Sequence, residues 1–483
     1  MVSRAITAAV VATALGFAGQ LHARVRYVVA VSETTYAMKD WREVVSVLQT
    51  RYGAAIVRYD KSPTRTAAGL AAHKPDYVAF VARPQEASRE FVVDVHRMMR
   101  KLDSDPYTDA IWGIVTGYNA GDALRIAKET KPLTITRGAS GMGSGLLKNF
   151  AFGFASNEGK QYAFFVKKNG QVKQTEVKPD TVKSLVDGFN NDKPECFLTS
   201  GHATTRDWQV GYTFKGGQFR CERGQLYGLT TTNKRHNINS PNPKIYMPVG
   251  NCLIGQITGP DCMTTAMIHS AGVRQMIGYT VATWYGFGGW GVRDMFFGRP
   301  GQLSFAEAAF FNNQALMHKL VAEHPKVSQV NFPSYDHRQM GRIMSDMARR
   351  YRIVRKNKTT GRLELDRDAM GLLWDRDTVA FYGDPAWRAE MPKPATPPPW
   401  SQELKAGDGK FTFTVRCAAE GSYPNRPIVQ LLPKRLVDIK IVEGADRKPV
   451  ITDNFILLPL KGKFAKGDSV KIVFKAKPMP IPE

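Results

Sequence analysis

Apolar positions along the chain fall into two alternating kinds of run. Arg26 to Val31 (RYVVAV) is a continuous β-branched stretch, as expected of a strand buried on both faces. Ala37 to Tyr52 then carries Trp41, Val44, Val45 and Leu48 at helical spacing, and Gly53 ends it. Further strands are predicted at Ala55–Tyr59, Tyr77–Val81 and Ile111–Thr116, with helical stretches around 64–72 and 86–102 between them. A second series starts near Leu133. Strands at Tyr162–Val166 and Glu195–Thr199 flank an amphipathic helix over Pro179–Phe189, and a strand at Lys244–Val249 precedes a helix near 262–271. A strand at Gln275–Val281 and longer helices over 303–322 and 334–351 complete it. This βαβα alternation predicts an α/β fold, a mostly parallel sheet covered by helices, in two subdomains, 24–132 and 133–390.

Three segments break the alternation. Residues between His202 and Lys244 are rich in Gly, Thr and aromatics (YTFKGGQFRCERGQLYGLTTT) and predict a β-hairpin insertion, a candidate flap over a cleft. Met391–Trp400 (MPKPATPPPW) is a semi-rigid proline-rich linker. Beyond it, 401–483 carries strand-like runs at Phe411–Val415, Val437–Val442, Phe455–Leu460 and Val470–Phe474, which predict a small immunoglobulin-like β-sandwich. At the other end, Arg4, the apolar run Ala5–Ala18 and small residues up to Ala23 have the layout of a secretory signal peptide over residues 1–23. No later stretch reaches membrane-spanning length, so a secreted or periplasmic protein is expected.

Composition changes this picture in one respect. Hydrophobic content of 43% and charged content of 23% are ordinary globular values, but 67 basic against 43 acidic residues leave a formal charge of +24. Such a surface attracts anionic envelope polymers. The densest patch, Arg349 to Arg362, contains no acid and reads as a solvated helix end and loop. No nucleic-acid motif surrounds it, so specific nucleic-acid recognition is not expected.

Candidate chemistry centres on two loops. The five cysteines are Cys196, Cys221, Cys252, Cys262 and Cys417, an odd number that leaves at least one thiol without an intrachain partner. Their spacings match no paired CxxC zinc pattern, and no metal or cofactor is expected. The glycine-rich stretch 138–159 lacks the Gly-Lys-Ser/Thr ending of a nucleotide loop. A thiol nucleophile needs an imidazole to take its proton and main-chain N–H groups to hold an oxyanion, and in open α/β sheets such groups sit just past the carboxyl ends of strands. Glu195–Thr199 runs into Ser200-Gly201-His202-Ala203, and Lys244–Val249 runs into Gly250-Asn251-Cys252-Leu253-Ile254-Gly255. His202 and Cys252 are therefore the candidate dyad. Cys262 is the rival nucleophile, expected to begin a helix behind the active loop. Asp207 is either an orienting acid for the imidazole or a solvated loop acid, and Trp284 either lines the cleft or packs.

In order along the chain, these motifs resemble the gingipain-type cysteine peptidase family of the caspase-like clan. Gly201-His202-Ala203-Thr204 with Trp208 is similar to that family's histidine strand end, which closes Gly-His-Gly-Ser. Cys252 to Gly255 resembles its CxxG-type turn, and Asp261-Cys262-Met263 its second cysteine at a helix start. Gly278-Tyr279-Thr280 with Trp284, and Val379 to Pro385 (VAFYGDP), match its later strand and its closing Gly-Asp-Pro turn. The resemblance covers most of 24–483 and is densest over 178–390. It implies a gingipain-like sheet followed by an immunoglobulin-like domain, and hydrolysis of peptide bonds through a thioester. His202 would act as base and acid, Cys252 as nucleophile, and the N–H groups of Ala203 and Cys252 as the oxyanion hole. Peptide or protein would be the substrate.

Three departures bear on this. Ala203 stands where the family has glycine, the insertion lengthens the spacing from His202 to Cys252, and Glu158 is the sole acid in 138–159, where arginine-specific members place a substrate-binding carboxylate. P1 specificity is therefore left open. Two other functions stay compatible with the same residues: an inactive envelope-binding protein, and a transpeptidase in which an amine resolves the thioester.

Overall fold

A computed structural model describes residues 26–157, 163–178, 180–211 and 216–480. The expected signal peptide, Glu158 and Pro179 lie outside the described residues. Among the described residues no helix is long and apolar enough to cross a membrane.

Twelve strands form one central sheet. In chain order they are β1 (Tyr27–Ser32), β2 (Ala55–Tyr59), β3 (Tyr77–Val81), β4 (Ile111–Val115), β5 (Arg137–Ser140), β6 (Phe152–Asn157), β7 (Ala163–Lys168), β8 (Gln171–Val177), β9 (Cys196–Gly201), β10 (Lys244–Asn251), β11 (Val273–Tyr279) and β12 (Val379–Tyr382). Their spatial order is β2-β1-β3-β4-β12-β11-β10-β9-β5-β6-β7-β8. Eight of the eleven neighbouring pairs are parallel, and β12–β11, β6–β7 and β7–β8 are antiparallel. The sheet thus consists of two parallel blocks of opposite sense joined at the β11–β12 seam, with β12 in the block of β1 to β4 and antiparallel β7 and β8 extending the other.

Side chains along the central strands alternate between two cores, as the pleat requires. Phe197 and Tyr246 face a cluster holding Trp41, Leu48, Phe189 and Met267. Leu198, Ile245, Met247 and Val249 face another built on Phe296, Phe305 and Phe311, which Phe455 and Leu457 from the C-terminal region complete. That region forms antiparallel sheets, the largest pairing Trp400–Gly407, Lys410–Cys417, Ser469–Pro478 and Leu436–Glu443. Met391 is buried at the start of the linker, and Trp400 at its end.

Several expectations are corrected. The helix expected over 37–52 runs from Lys39 to Tyr52, and a short helix the sequence did not mark, Glu33–Ala37, precedes it across extended Met38. The one expected over 334–351 begins as a 3-10 turn at His337, because the Asp336 carboxylate accepts the Arg338 N–H. Among the described residues the insertion has four antiparallel strands, Asp207–Gln209, Gln218–Glu222, Gln225–Leu229 and Arg235–Asn237. Trp208, Phe219 and Leu226 join the first core. Gly228 lies so close to Val182 and Val186 of helix Val182–Asp192 that a Cβ would meet them at 2.5 and 2.7 Å. The body of the insertion is a layer of the core, not a detached flap. The basic patch ends helix Met340–Tyr351 and continues into an exposed hairpin, Val354–Lys356 with Leu363–Leu365, instead of a plain loop.

Candidate active site

β9 and β10 are adjacent and parallel, and their register decides which residues meet at their carboxyl ends. Thr199 pairs with Pro248, whereas Ser200 pairs with Gly250, so Val249 is an extra residue in β10. Proline supplies no N–H to the ladder, and a bulge beside it is how a central strand accommodates one. The consequence is positional. With the bulge, Gly201 pairs with Asn251, so His202 and Cys252 each follow the last paired residue of neighbouring strands. Without it, His202 would stand level with Asn251.

A buried polar network fixes these strand ends. The Thr199 hydroxyl donates to Asn251 Oδ1 at 2.7 Å and lies 2.9 Å from the Tyr246 hydroxyl. Asn251 Nδ2 donates to the Gly201 carbonyl at 3.1 Å, and Trp208 Nε1 donates to the Ser200 carbonyl at 2.9 Å. Asn251 therefore ties the histidine loop to the cysteine loop from below. Gly250 has no space for a side chain: a Cβ would lie 2.3 Å from Ser200 Oγ and 3.3 Å from Trp290 Nε1. We expect Asn251→Ala to lower kcat by about 10²-fold with little change in KM, since misplacement of reacting groups by an ångström costs that much. Leaving buried partners unpaired should also destabilise the protein by about 1–3 kcal/mol. Steady-state kinetics and urea unfolding would check both; unchanged kcat would mean that the network does not position the dyad.

The turn after Cys252 is shaped by a close approach of two strands. Leu253 adopts φ 60°, a left-handed conformation uncommon for a non-glycine residue, and donates its N–H to the Val281 carbonyl at 3.0 Å. Gly255 N–H donates to the Tyr279 carbonyl at 2.9 Å, and a Cβ on Gly255 would lie 2.2 Å from the Gly278 carbonyl oxygen. Glycine at the end of the CxxG turn is thus a packing requirement. The Thr283 N–H donates to Cys252 Sγ at 3.3 Å, so the sulfur is held toward the segment that follows β11.

Burial separates the candidate nucleophiles. Cys252 is half-buried, while Cys196, Cys221, Cys262 and Cys417 are buried, and none of the five is in a disulfide. Cys262 is the N-cap of helix Met263–His269, as expected, and burial raises its pKa. Burial likewise pushes the Cys221 thiol up to about 12.

On the histidine side, His202 is exposed and Ala203 buried. Ala203 bridges Trp208 in an antiparallel pair flanked by Thr204 N–H to the Asp207 carbonyl at 2.9 Å and Gln209 N–H to the His202 carbonyl at 3.0 Å. In a pair flanked this way the Ala203 N–H points out of the hairpin. The Asp207 carboxylate accepts from the Thr204 hydroxyl at 2.9 Å, the bond of a loop acid. Trp284 is half-buried one residue beyond Thr283, with the Arg367 guanidinium 5.5 Å from its ring. Asn251, Thr199 and Trp290 were not marked by the sequence. Asn251 beside Cys252 is the one that adjacency could have found.

No known protein-family profile matches the chain. No curated protein matches it either. Among solved structures, the crystal structure of gingipain R, an Arg-specific cysteine proteinase, is similar at 12% sequence identity and a TM-score of 0.38, over 94% of this chain and 91% of that one. At that score the likeness carries no weight, and the functional reading rests on the residues and their geometry.

Proposed function

We propose that this chain is an exported cysteine endopeptidase that hydrolyses peptide bonds through a thioester on Cys252. The observation that carries the reading is that the one cysteine of five not buried lies level with His202 on the next strand end. In the proposed reaction His202 takes the thiol proton as Cys252 Sγ attacks the scissile carbonyl carbon. The N–H groups of Ala203 and Cys252 stabilise the resulting oxyanion. His202 then returns the proton to the leaving amine, and water, activated by the same imidazole, resolves the thioester to a carboxylate. Export rests on the N-terminal sequence pattern, and the peptide side chains accepted are left open.

A set of peptidyl acyloxymethyl ketones varied at the residue next to the ketone tests this, because such reagents alkylate a thiol that attacks an acyl group presented to it. Peptide mapping should find one adduct, on Cys252, formed by some members of the set and strongly slowed by His202→Ala. Absence of any adduct on Cys252 across the set, with the protein folded, would sink the reading.

A further inference from the structure

The segment that follows β11 passes the thiol at Thr283, and its next two residues, Trp284 and Tyr285, lie against the start of helix Arg367–Asp375. Two contacts press segment and helix together. The Tyr285 hydroxyl donates to Asp368 Oδ1, and a Cβ on Gly371 would lie 2.2 Å from Tyr285 Cγ. At the same junction the Arg367 guanidinium stands over the Trp284 ring, 5.5 Å from its centroid. Arg367 is the first residue of its helix and is exposed.

The two acids that flank Arg367 in sequence are committed elsewhere. Asp366 caps the helix by accepting the Ala369 N–H at 3.1 Å, and Asp368 accepts Lys319 Nζ on both oxygens at 2.7 Å. Among the described residues Arg367 has neither an ion pair nor a hydrogen bond, and its contact is with the ring. A guanidinium held in that way still has five N–H donors to offer. The second cation over an aromatic ring at the site makes the contrast. Arg293 stands 4.6 Å from the Trp290 ring, but it donates to the Asp294 carboxylate at 2.6 Å, so its charge is met. Asp261, beyond the cysteine loop, is likewise paired, with Arg206 at 2.8 Å.

We propose that Arg367, held over Trp284, binds the carboxylate of an Asp or Glu side chain close to the scissile bond, so that the enzyme selects acidic peptide segments. The inference rests on the reading of Cys252 as nucleophile and supplies the side-chain preference which that reading leaves open. A carbonyl attacked by Sγ lies beside Thr283, and an extended peptide advances about 3.4 Å per residue, so side chains one or two residues away come within reach of Trp284 and its guanidinium. The guanidinium fork matches a carboxylate bidentately, whereas a Lys or Arg side chain at the same place meets a like charge. The formal charge of +24 attracts acidic segments from a distance as well.

Internally quenched peptides with amidated C-termini test this, in pairs that differ only by Glu against Gln, or Asp against Asn, at one of the two positions on either side of the cleaved bond. At one of these positions the acid should give a kcat/KM at least about tenfold above its amide, a preference that weakens as salt is raised. Arg367→Glu should remove that preference and favour Lys at the same position, and Arg367→Lys should keep part of it. Glutamate suits the first turn of a helix, so the fold should survive the substitution. Equal kcat/KM within every pair, or a preference unchanged in Arg367→Glu, would overturn the role of Arg367 while leaving thiol catalysis standing. Absence of cleavage throughout the set would count against catalysis instead. Recognition is then read by titrating the Cys252→Ala chain with the Glu and Gln peptides, free of quencher, and following tryptophan fluorescence. The acidic peptide should bind more tightly, and Arg367→Glu in that background should abolish the difference; equal affinities would overturn the proposal.

Discussion

Replacing Cys252 with alanine is expected to lower kcat/KM for peptide hydrolysis by at least about 10⁴-fold, or about 5.5 kcal/mol of transition-state stabilisation. Alanine keeps the Cβ and the turn, whose anchors are the Leu253 and Gly255 N–H groups bonded to Val281 and Tyr279, so folding should be unaffected. What is lost is the sulfur that accepts the Thr283 N–H and that no other side chain of the loop replaces. Cys262→Ala is the control. Its thiol is buried at a helix start with its pKa raised, so this variant should keep activity within a few-fold and lose at most some stability. Progress curves on a substrate found by profiling cleavage of a peptide library would decide the matter. If Cys262→Ala abolished turnover while Cys252→Ala did not, the nucleophile assignment would be reversed. If neither did, thiol catalysis at these strand ends would be excluded.

Much of the scaffold that holds this thiol was legible in the sequence. β1, β2, β3, β4, β9 and β10 lie within two residues of the runs read from apolar periodicity. The candidate pair was found because each member follows an apolar strand and stands near a glycine. What periodicity could not show is the level at which the two ends meet. β10 is buried along nearly its whole length, and a strand with both faces apolar carries no alternation from which a one-residue bulge can be read. Pro248 was the available signal, since a proline inside a central strand has to be accommodated by an irregularity. The antiparallel seam at β11–β12 was hidden for a related reason, as strand direction leaves no mark on a buried run.

Helix Phe287–Gly298 was missed because its sequence, FGGWGVRDMFFG, opposes helix formation locally. Packing reverses that preference. A Cβ on Gly289 would lie 2.1 Å from the Val249 carbonyl oxygen, and one on Gly291 would lie 1.8 Å from Asn312 Oδ1. The glycines that weaken the helix in isolation let it press against the bulge in β10 and against helix Phe305–Glu323. The same approach brings Trp290 beside Gly250, which is why an aromatic ring borders the site without having been anticipated there.

Asp377→Ala is expected to destabilise the α/β body by about 3–5 kcal/mol, the cost of removing one partner from a buried ion pair. The carboxylate is fully buried and held by three guanidinium groups: Arg376 Nη2 at 2.9 Å, Arg100 Nη2 at 2.5 Å and Arg97 Nε at 3.2 Å. The Tyr335 hydroxyl adds a fourth donor at 3.2 Å. The arginine charges beside it, led by Arg100 and Arg376, hold this carboxyl well below the ordinary carboxylate range against the opposing effect of burial. Its contribution is therefore present above the unfolded value of about 4 and lost as pH falls through the lower folded value. Urea unfolding of wild type and variant should show the largest gap near neutral pH, narrowing under acid as the wild-type carboxyl takes up a proton. A gap below about 1 kcal/mol at pH 7 would mean that the arginines find other partners. The effect should reach the dyad, because Asp377 adjoins Thr378, whose carbonyl accepts the Thr280 N–H at 2.8 Å and the Thr280 hydroxyl at 3.0 Å. Thr280 follows β11 and leads through Val281, which anchors Leu253, to Thr283, which touches Cys252 Sγ. Loosening that cluster should lower kcat even where the variant is fully folded, because the bonds from Thr378 through Thr280 and Thr283 lead to the thiol.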